Sequence, residues 1–366
     1  MRLPKDYVMA AERQTRIDSI QALRATAAIA VVFGHAQGLL VRFKVTYGID
    51  DAWLNLVDPV KTGQCGVDIF FVISGFIMAL VTNDMHNRKG AILDFAQKRL
   101  IRIFPPYWLW TFVLLFLLLF FPQHFSSGRT FELREAILSL LLIPYAPSGA
   151  NTSPILQVGW TLSYEMYFYA LVCIGLFFSR KKFIVGLGIF FFITTVIFTQ
   201  RHSPVSNLTT DTILWEFYAG VLLFELYKSG KSLSIILSIC IVIPAIIAFY
   251  YFAKEAPSYP RFIYWGLPAL AFVSSCIFFA KEATCCIPKT FIFLGDSSYT
   301  IYLSHFIILP IAGKISVIVG LHMILPPDVQ IILYTAICTV LGCILYVITE
   351  RPMLDYFRNK RVTLYP

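Results

Sequence analysis

The chain has 366 residues, of which 58% are hydrophobic and only 14% charged, with a formal net charge of +9. A soluble domain carries about a quarter charged residues, so the apolar excess excludes an ordinary water-soluble fold and points to lipid. The basic balance is read as membrane topology rather than as nucleic-acid binding, because the charges lie between apolar runs.

The first apolar run follows about twenty polar, basic residues and is long enough to span, so no cleavable signal peptide is expected. A spanning helix needs about twenty mostly apolar residues. Ten such segments are predicted: 20–41, 67–83, 103–121, 160–178, 183–199, 211–227, 233–252, 261–280, 298–320 and 329–349. Ala136–Tyr145 is apolar but short, ends in Pro144 and is followed by Pro147, Gly149 and Pro154, which predicts a re-entrant or interfacial segment. With the N-terminus in the cytoplasm, 20 Lys and Arg fall on the inner side and 8 on the outer side. That bias supports ten spans with both termini inside. The expected organisation is all-α and polytopic: residues 1–19 form a cytoplasmic N-terminal segment, 20–350 the transmembrane domain and 351–366 a cytoplasmic tail. No inverted repeat of the kind many transporters carry is visible. Five of the eight cysteines fall inside apolar runs, which predicts small buried hydrophobes rather than a disulfide framework. No Cys/His spacing predicts a metal site.

An ionisable side chain within a span is costly and marks a candidate functional site. The first span, QALRATAAIAVVFGHAQ, carries Arg24 and His35. Eleven residues at 100° each make about three turns plus 20°, so both share one face, about 16 Å apart along the axis. Arg24 falls near the cytoplasmic end and His35 past the middle. A snorkelling anchor and a core histidine are the plainer readings of the two. In the second span, GVDIFFVISGFIMALVT, Asp68 stands at the outer end and Ser74-Gly75 in the middle, where a glycine admits a ligand or simply a packed helix. Before the third span, KRLIRIFPPYWLW places Arg99 and Arg102 at i and i+3, a pair suited to phosphate as well as to anchoring. Pro105-Pro106 is expected to start or kink that span. The fourth span opens GWTLSYEMYFY, with Trp160 at its start and Glu165 at a depth expected to match that of His35. The ninth contains DSSYTIYLSHF, where Tyr299, Tyr302 and His305 follow one face.

An Arg and a His separated by ten residues, then GVDIFFVISGFIM, RIFPPYW, GWTLSYEMYFY, LGDSSYTIYLSH and ERP at 350–352 occur in that order along nearly the whole chain. This set resembles the acyltransferase-3 family of membrane acyltransferases, and most of all its short members that O-acetylate exopolysaccharides. The resemblance implies acetyl transfer from cytoplasmic acetyl-CoA, as donor substrate, to a hydroxyl of a glycan or lipid-linked glycan. It implies a bacterial inner membrane, membrane lipid as surroundings, polysaccharide biosynthesis machinery as a partner, no nucleic acid and no metal. Arg24 and His35 match the family's essential Arg/His motif, Arg99 and Arg102 its basic motif, and Glu165 its carboxylate. Larger relatives carry a C-terminal esterase-like domain, and any step done there is expected to be absent here or done by a partner.

On that basis His35 is expected to act as general base or acyl carrier, with Glu165 orienting the imidazole. Arg24, Arg99 and Arg102 are expected to hold the donor, and Ser74 and Gly75 to admit its arm. Asp68, Trp160, Tyr302 and His305 are supporting candidates. The competing class is a transporter or export component for a glycan or small anion, which also places His, Arg and Glu within spans.

Overall fold

The computed structural model describes residues 17–47, 63–121, 133–145, 154–197, 204–254, 260–282 and 287–364. The predicted N-terminal segment therefore lies outside the described residues up to position 16. The described residues are helical throughout, without a strand.

In chain order the helices are α1 (Asp18–Tyr47), α2 (Gln64–Val81), α3 (Ala91–Phe120), α4 (Leu133–Leu140), α5 (Trp160–Gly175), α6 (Arg180–Phe192), α7 (Pro204–Thr210), α8 (Leu214–Lys228), α9 (Ile235–Lys254), α10 (Leu267–Glu282), α11 (Lys289–Ile318), α12 (Leu321–Ile324), α13 (Pro327–Leu345) and α14 (Arg351–Leu364). π-helical turns extend α6 (Ile193–Ile197), lead into α10 (Phe262–Gly266) and join α13 to α14 (Tyr346–Glu350). Among the described residues, seven helices are long and apolar enough to cross a membrane: Asp18–Arg42, Gln64–Val81, Ala91–Phe120, Ile235–Lys254, Phe262–Phe279, Lys289–Ile318 and Pro327–Asn359. The other three predicted spans coincide with α5, α6 and α8, which are shorter.

The predicted start of the third span needs correction. The helix begins at Ala91 behind Gly90, whose φ of 79° closes the preceding turn. Asp94 stands in its first turn and pairs with Lys98 at 3.0 Å, four residues on. Pro105-Pro106 therefore lies inside the helix, where the two rings leave the carbonyls of Ile101 and Arg102 without intrahelical donors. Close by, the Tyr299 hydroxyl of α11 donates to the Ile103 carbonyl at 2.9 Å. Arg99 and Arg102 consequently sit within a continuous helix rather than ahead of one.

α1 packs against α2, α11 and α13 at the centre of the bundle. It runs parallel to α11, as the contacts of Gln21 with Gly295, Arg24 with Ser298 and His35 with His305 show. α2 runs antiparallel to α1, with Gly63 near Gly34 and Gly66 against Ala27. In a bilayer, lipid is as apolar as leucine, so helices associate through close packing and polar contacts. Gly75 and Gly220 provide such packing. A Cβ on Gly75 would collide with the Phe217 backbone of α8, and one on Gly220 with the Val72 carbonyl of α2.

The segment ahead of α5 turns into the bundle. The Tyr107 hydroxyl of α3 donates to the Ser139 carbonyl at 2.8 Å, and the Trp108 indole donates to the Leu140 carbonyl at 2.8 Å. Tyr107 is 16 residues from the start of α3, about 24 Å along its axis. The short helix α4 thus reaches to the middle of α3, while its Leu133 and Ile137 remain exposed. Replacing Gly75 with Val should force α2 and α8 apart and cost about 1–3 kcal/mol. Thermal unfolding in detergent should show a lowered midpoint, while Gly186→Ala, where a Cβ meets nothing within 4 Å, should not lower it.

Candidate active site

Five helices, α1, α2, α3, α5 and α11, converge on one cavity of about 290 Å³. α1 supplies Arg24, which donates from Nη2 to Ser298 Oγ of α11 at 3.0 Å. α3 supplies Arg99 and Arg102, brought to the wall together by their i, i+3 spacing. The Arg99 guanidinium carbon lies 5.6 Å from the Phe95 ring centre and 5.9 Å from that of Tyr169, within cation–π range. α5 supplies Glu165, which accepts from Ser74 Oγ at 3.2 Å and from the Tyr169 hydroxyl. Three guanidinium groups and a single carboxylate line the wall, which makes it electropositive and suited to an anion. Gln21 Oε1 and Arg99 Nε, from residues of the same wall, are buried without a hydrogen-bond partner among the described residues. Buried polar atoms are rarely left so, and this pair offers an acceptor and a donor to a polar ligand.

Tyr302 closes the cavity on the side away from the arginines. Its hydroxyl donates to the Val158 carbonyl at 2.8 Å and lies 2.8 Å from Thr161 Oγ1. Its ring centre is 6.0 Å from that of Phe70 and 5.9 Å from that of His305. One turn further along α11, His305 is fully buried. Its Nε2 is 3.3 Å from Nδ1 of His35, with ring centres 4.9 Å apart. His35 Nδ1 is also 2.9 Å from the Val31 carbonyl. His35 itself is exposed and stands outside the cavity wall.

The structure thus gathers Arg24, Arg99, Arg102, Ser74, Glu165 and Tyr302 around one cavity, and sets His35 with His305 just past it. Several expectations are corrected. Glu165 bonds Ser74 and Tyr169, whereas His35 bonds His305 and Val31. The reason is depth: α5 starts beside Tyr302, inside the bundle, so Glu165 descends toward the arginines instead of lying level with His35. Gly75 is occupied by the contact with α8 and does not face the cavity. Asp68 is fully buried and held bidentately by Arg261, at 2.9 Å from Nε and 2.7 Å from Nη2. That makes it a structural ion pair with Glu216, also fully buried, as its neighbour. Trp160 stands edge-on to Phe71 and Tyr164 outside the wall.

Residues not singled out from sequence also meet here. Gln21 and Ser298 line the cavity, as does Tyr169, one turn beyond Glu165. Glu350 of the ERP triplet is buried and accepts from Thr300 Oγ1 at 2.5 Å, behind the Ser298–Tyr302 stretch. The triplet was legible as a motif, but its partner lies fifty residues earlier.

A family profile described as an acyltransferase domain matches residues 17–348. The chain belongs to the acyltransferase-3 family. This acyltransferase is 30% identical over 317 residues to the exopolysaccharide production protein ExoZ of Rhizobium meliloti (strain 1021), covering 82% of this chain and 92% of that protein. It is 24% identical over 340 residues to the peptidoglycan O-acetyltransferase OatA of Listeria monocytogenes serovar 1/2a (strain ATCC BAA-679 / EGD-e), covering 82% of this chain and 50% of that protein. Nodulation protein 10 of Rhizobium leguminosarum bv. viciae is 28% identical over 228 residues, covering 55% of this chain and 57% of that protein. No solved structure matches. As an acyltransferase, the chain belongs to a class of enzymes whose substrates include an acyl donor, and the arginine-lined cavity fits an anionic one.

Removing one member of a buried ion pair strands the other and costs about 3–5 kcal/mol. Asp68→Ala should therefore lower the unfolding midpoint of this acyltransferase in detergent, while KM for the acyl donor stays as in the parent protein. A raised KM with unchanged stability would instead assign Asp68 to the donor site.

Proposed function

We propose that the protein is a membrane O-acetyltransferase of the bacterial cytoplasmic membrane. It takes an acetyl group from acetyl-CoA, held at the end where α1 and α11 begin, to a hydroxyl of a glycan or lipid-linked glycan presented at the other end. The observation that carries this reading is the succession along α1 and α11: an arginine-walled cavity, then Tyr302, then a histidine pair whose outer member is exposed. The relatives named for exopolysaccharide production and peptidoglycan O-acetylation favour a glycan acceptor. The reading takes the ten spans and cytoplasmic termini expected from the sequence, an arrangement in which the cavity would open on the side where acetyl-CoA is made.

Arg24, Arg99 and Arg102 hold the donor's phosphates, guanidinium forks being matched to phosphate oxygens. Gln21 Oε1 is placed to accept from an amide of the pantetheine arm, and Ser74 and Glu165 border the arm's path. The apolar wall of Phe70, Phe71 and Ile73 keeps water from the thioester. A neutral alcohol attacks poorly until a base takes its proton in the transition state. His35 takes that proton as the bond from the hydroxyl oxygen to the acetyl carbon forms and the carbon–sulfur bond breaks. The proton then passes to the departing thiolate, so that an ester and a free thiol remain. Tyr302, between the cavity and the histidines, sets the place where the carbonyl must stand.

His35→Ala should reduce acetyl transfer about 10²- to 10⁴-fold, the usual contribution of a general base, at normal expression and with acetyl-CoA binding retained. Arg102→Gln should instead act mainly on KM for acetyl-CoA. The readout is the acetyl content of surface glycans together with transfer by the purified protein in detergent. Full activity of His35→Ala would defeat the reading. Glycan flux across proteoliposomes without acetyl transfer would replace the enzyme with an export component.

A further inference from the structure

The reading above leaves His305 unused, although it is the fully buried member of the histidine pair. Hydrogen-bond directions around it can be assigned from the groups that only accept. The Val31 carbonyl, 2.9 Å from His35 Nδ1, has no proton to give. Nδ1 of His35 is therefore the protonated nitrogen. His305 Nε2, 3.3 Å from that same Nδ1, must then be the acceptor. The proton of neutral His305 lies on its own Nδ1, which faces the Ile301 carbonyl at 3.3 Å, again a group that only accepts. The single Nδ1 hydrogen of His35 then serves Val31 and His305 together in a three-centre hydrogen bond, the shorter arm to Val31. This arrangement leaves Nε2 of His35 unprotonated, on an exposed ring.

We propose that His305 is a positioning residue that acts through His35: its Nε2 accepts a hydrogen bond from Nδ1–H of His35, holds the imidazole plane, and supports the positive ring formed when His35 Nε2 takes the acceptor's proton. This rests on His35 as the base. It gives His305 the place that a carboxylate holds in serine-hydrolase triads, fixing the tautomer and orientation of a catalytic histidine without touching the reacting atoms. A neutral imidazole suits the site. A carboxylate here would add an unpaired charge among Ile301, Leu303 and Leu309, all buried. The parallel packing of α1 and α11 sets the register of the two rings, and Tyr302, one turn below, ties the pair to the cavity.

Two near-isosteres separate positioning from packing. In His305→Gln the amide oxygen can occupy the place of Nε2 and still accept from His35. In His305→Asn the shorter side chain keeps a polar group near Ile301 and loses that acceptor. The Asn variant should lose about tenfold to a hundredfold in kcat, the range typical of partners that orient a functional histidine, with KM for acetyl-CoA unchanged. The Gln variant should recover most of that loss. Acetyl-CoA binding to both purified variants, measured by calorimetry, checks that each is folded. Unchanged kcat in the Asn variant, or equal damage in Asn and Gln, would overturn the proposal. If His35→Ala retains full activity, the assignment of the base fails instead, which is a separate result.

Discussion

Three guanidinium groups around one cavity, inside a bundle whose outer surface is apolar, form the constraint on which the rest of the site depends. Charges of one sign repel strongly where water is scarce, so each needs local support. Arg24 has Ser298, Arg99 has the faces of Phe95 and Tyr169, and Glu165 supplies the cavity's own counter-charge. Glu165 in turn is held by Ser74 and Tyr169, which fix it where the positive charge is densest. The lining still carries more positive than negative charge, which suits it to an anionic ligand. The same helices that hold the arginines hold the histidines, so the charged cavity and the exposed ring keep a fixed spacing.

Close helix packing makes that spacing reproducible. Gly295 brings α11 onto the backbone of Gln21, and the register continues through Arg24–Ser298 to His35–His305. Gly75 and Gly220 clamp α2 to α8 and so hold Ser74 on the opposite wall. The Asp68–Arg261 pair fastens the far end of α2 to the turn leading into α10. Glycine contacts and an ion pair that look like site chemistry in the sequence are, in the fold, what keeps site residues in place.

Within single helices the sequence was informative. Helical periodicity put Arg24 and His35 on one face, and Arg99 beside Arg102; the three arginines meet at the cavity and His35 lies just past it. Two kinds of information were absent. Depth within the bundle was one: the level of Glu165 follows from where α5 starts, and that start is set by Val158 and Thr161 meeting Tyr302, a contact across more than 140 residues. Choice of partner was the other. His305 was visible as a polar residue on a face with Tyr302, yet its pairing with His35 depends on α1 and α11 being parallel neighbours. Ser74-Gly75 shows both limits in adjacent positions, with Ser74 turned to the cavity and Gly75, 100° around the helix, turned to α8.

The separation of the two nitrogens of His35 bears on sidedness. Nδ1 is turned inward, engaged by Val31 and His305, and the exposed ring leaves Nε2 as its remaining reactive atom. On the proposed reading, the acceptor hydroxyl approaches His35 without entering the arginine cavity, while the anionic donor fills that cavity. Tyr302 stands where the two approaches meet, and Val158 and Thr161 limit its movement. On the proposed reading, the nucleotide end of the donor and the acceptor never compete for space, and only the acyl carbon has to come beside the histidines.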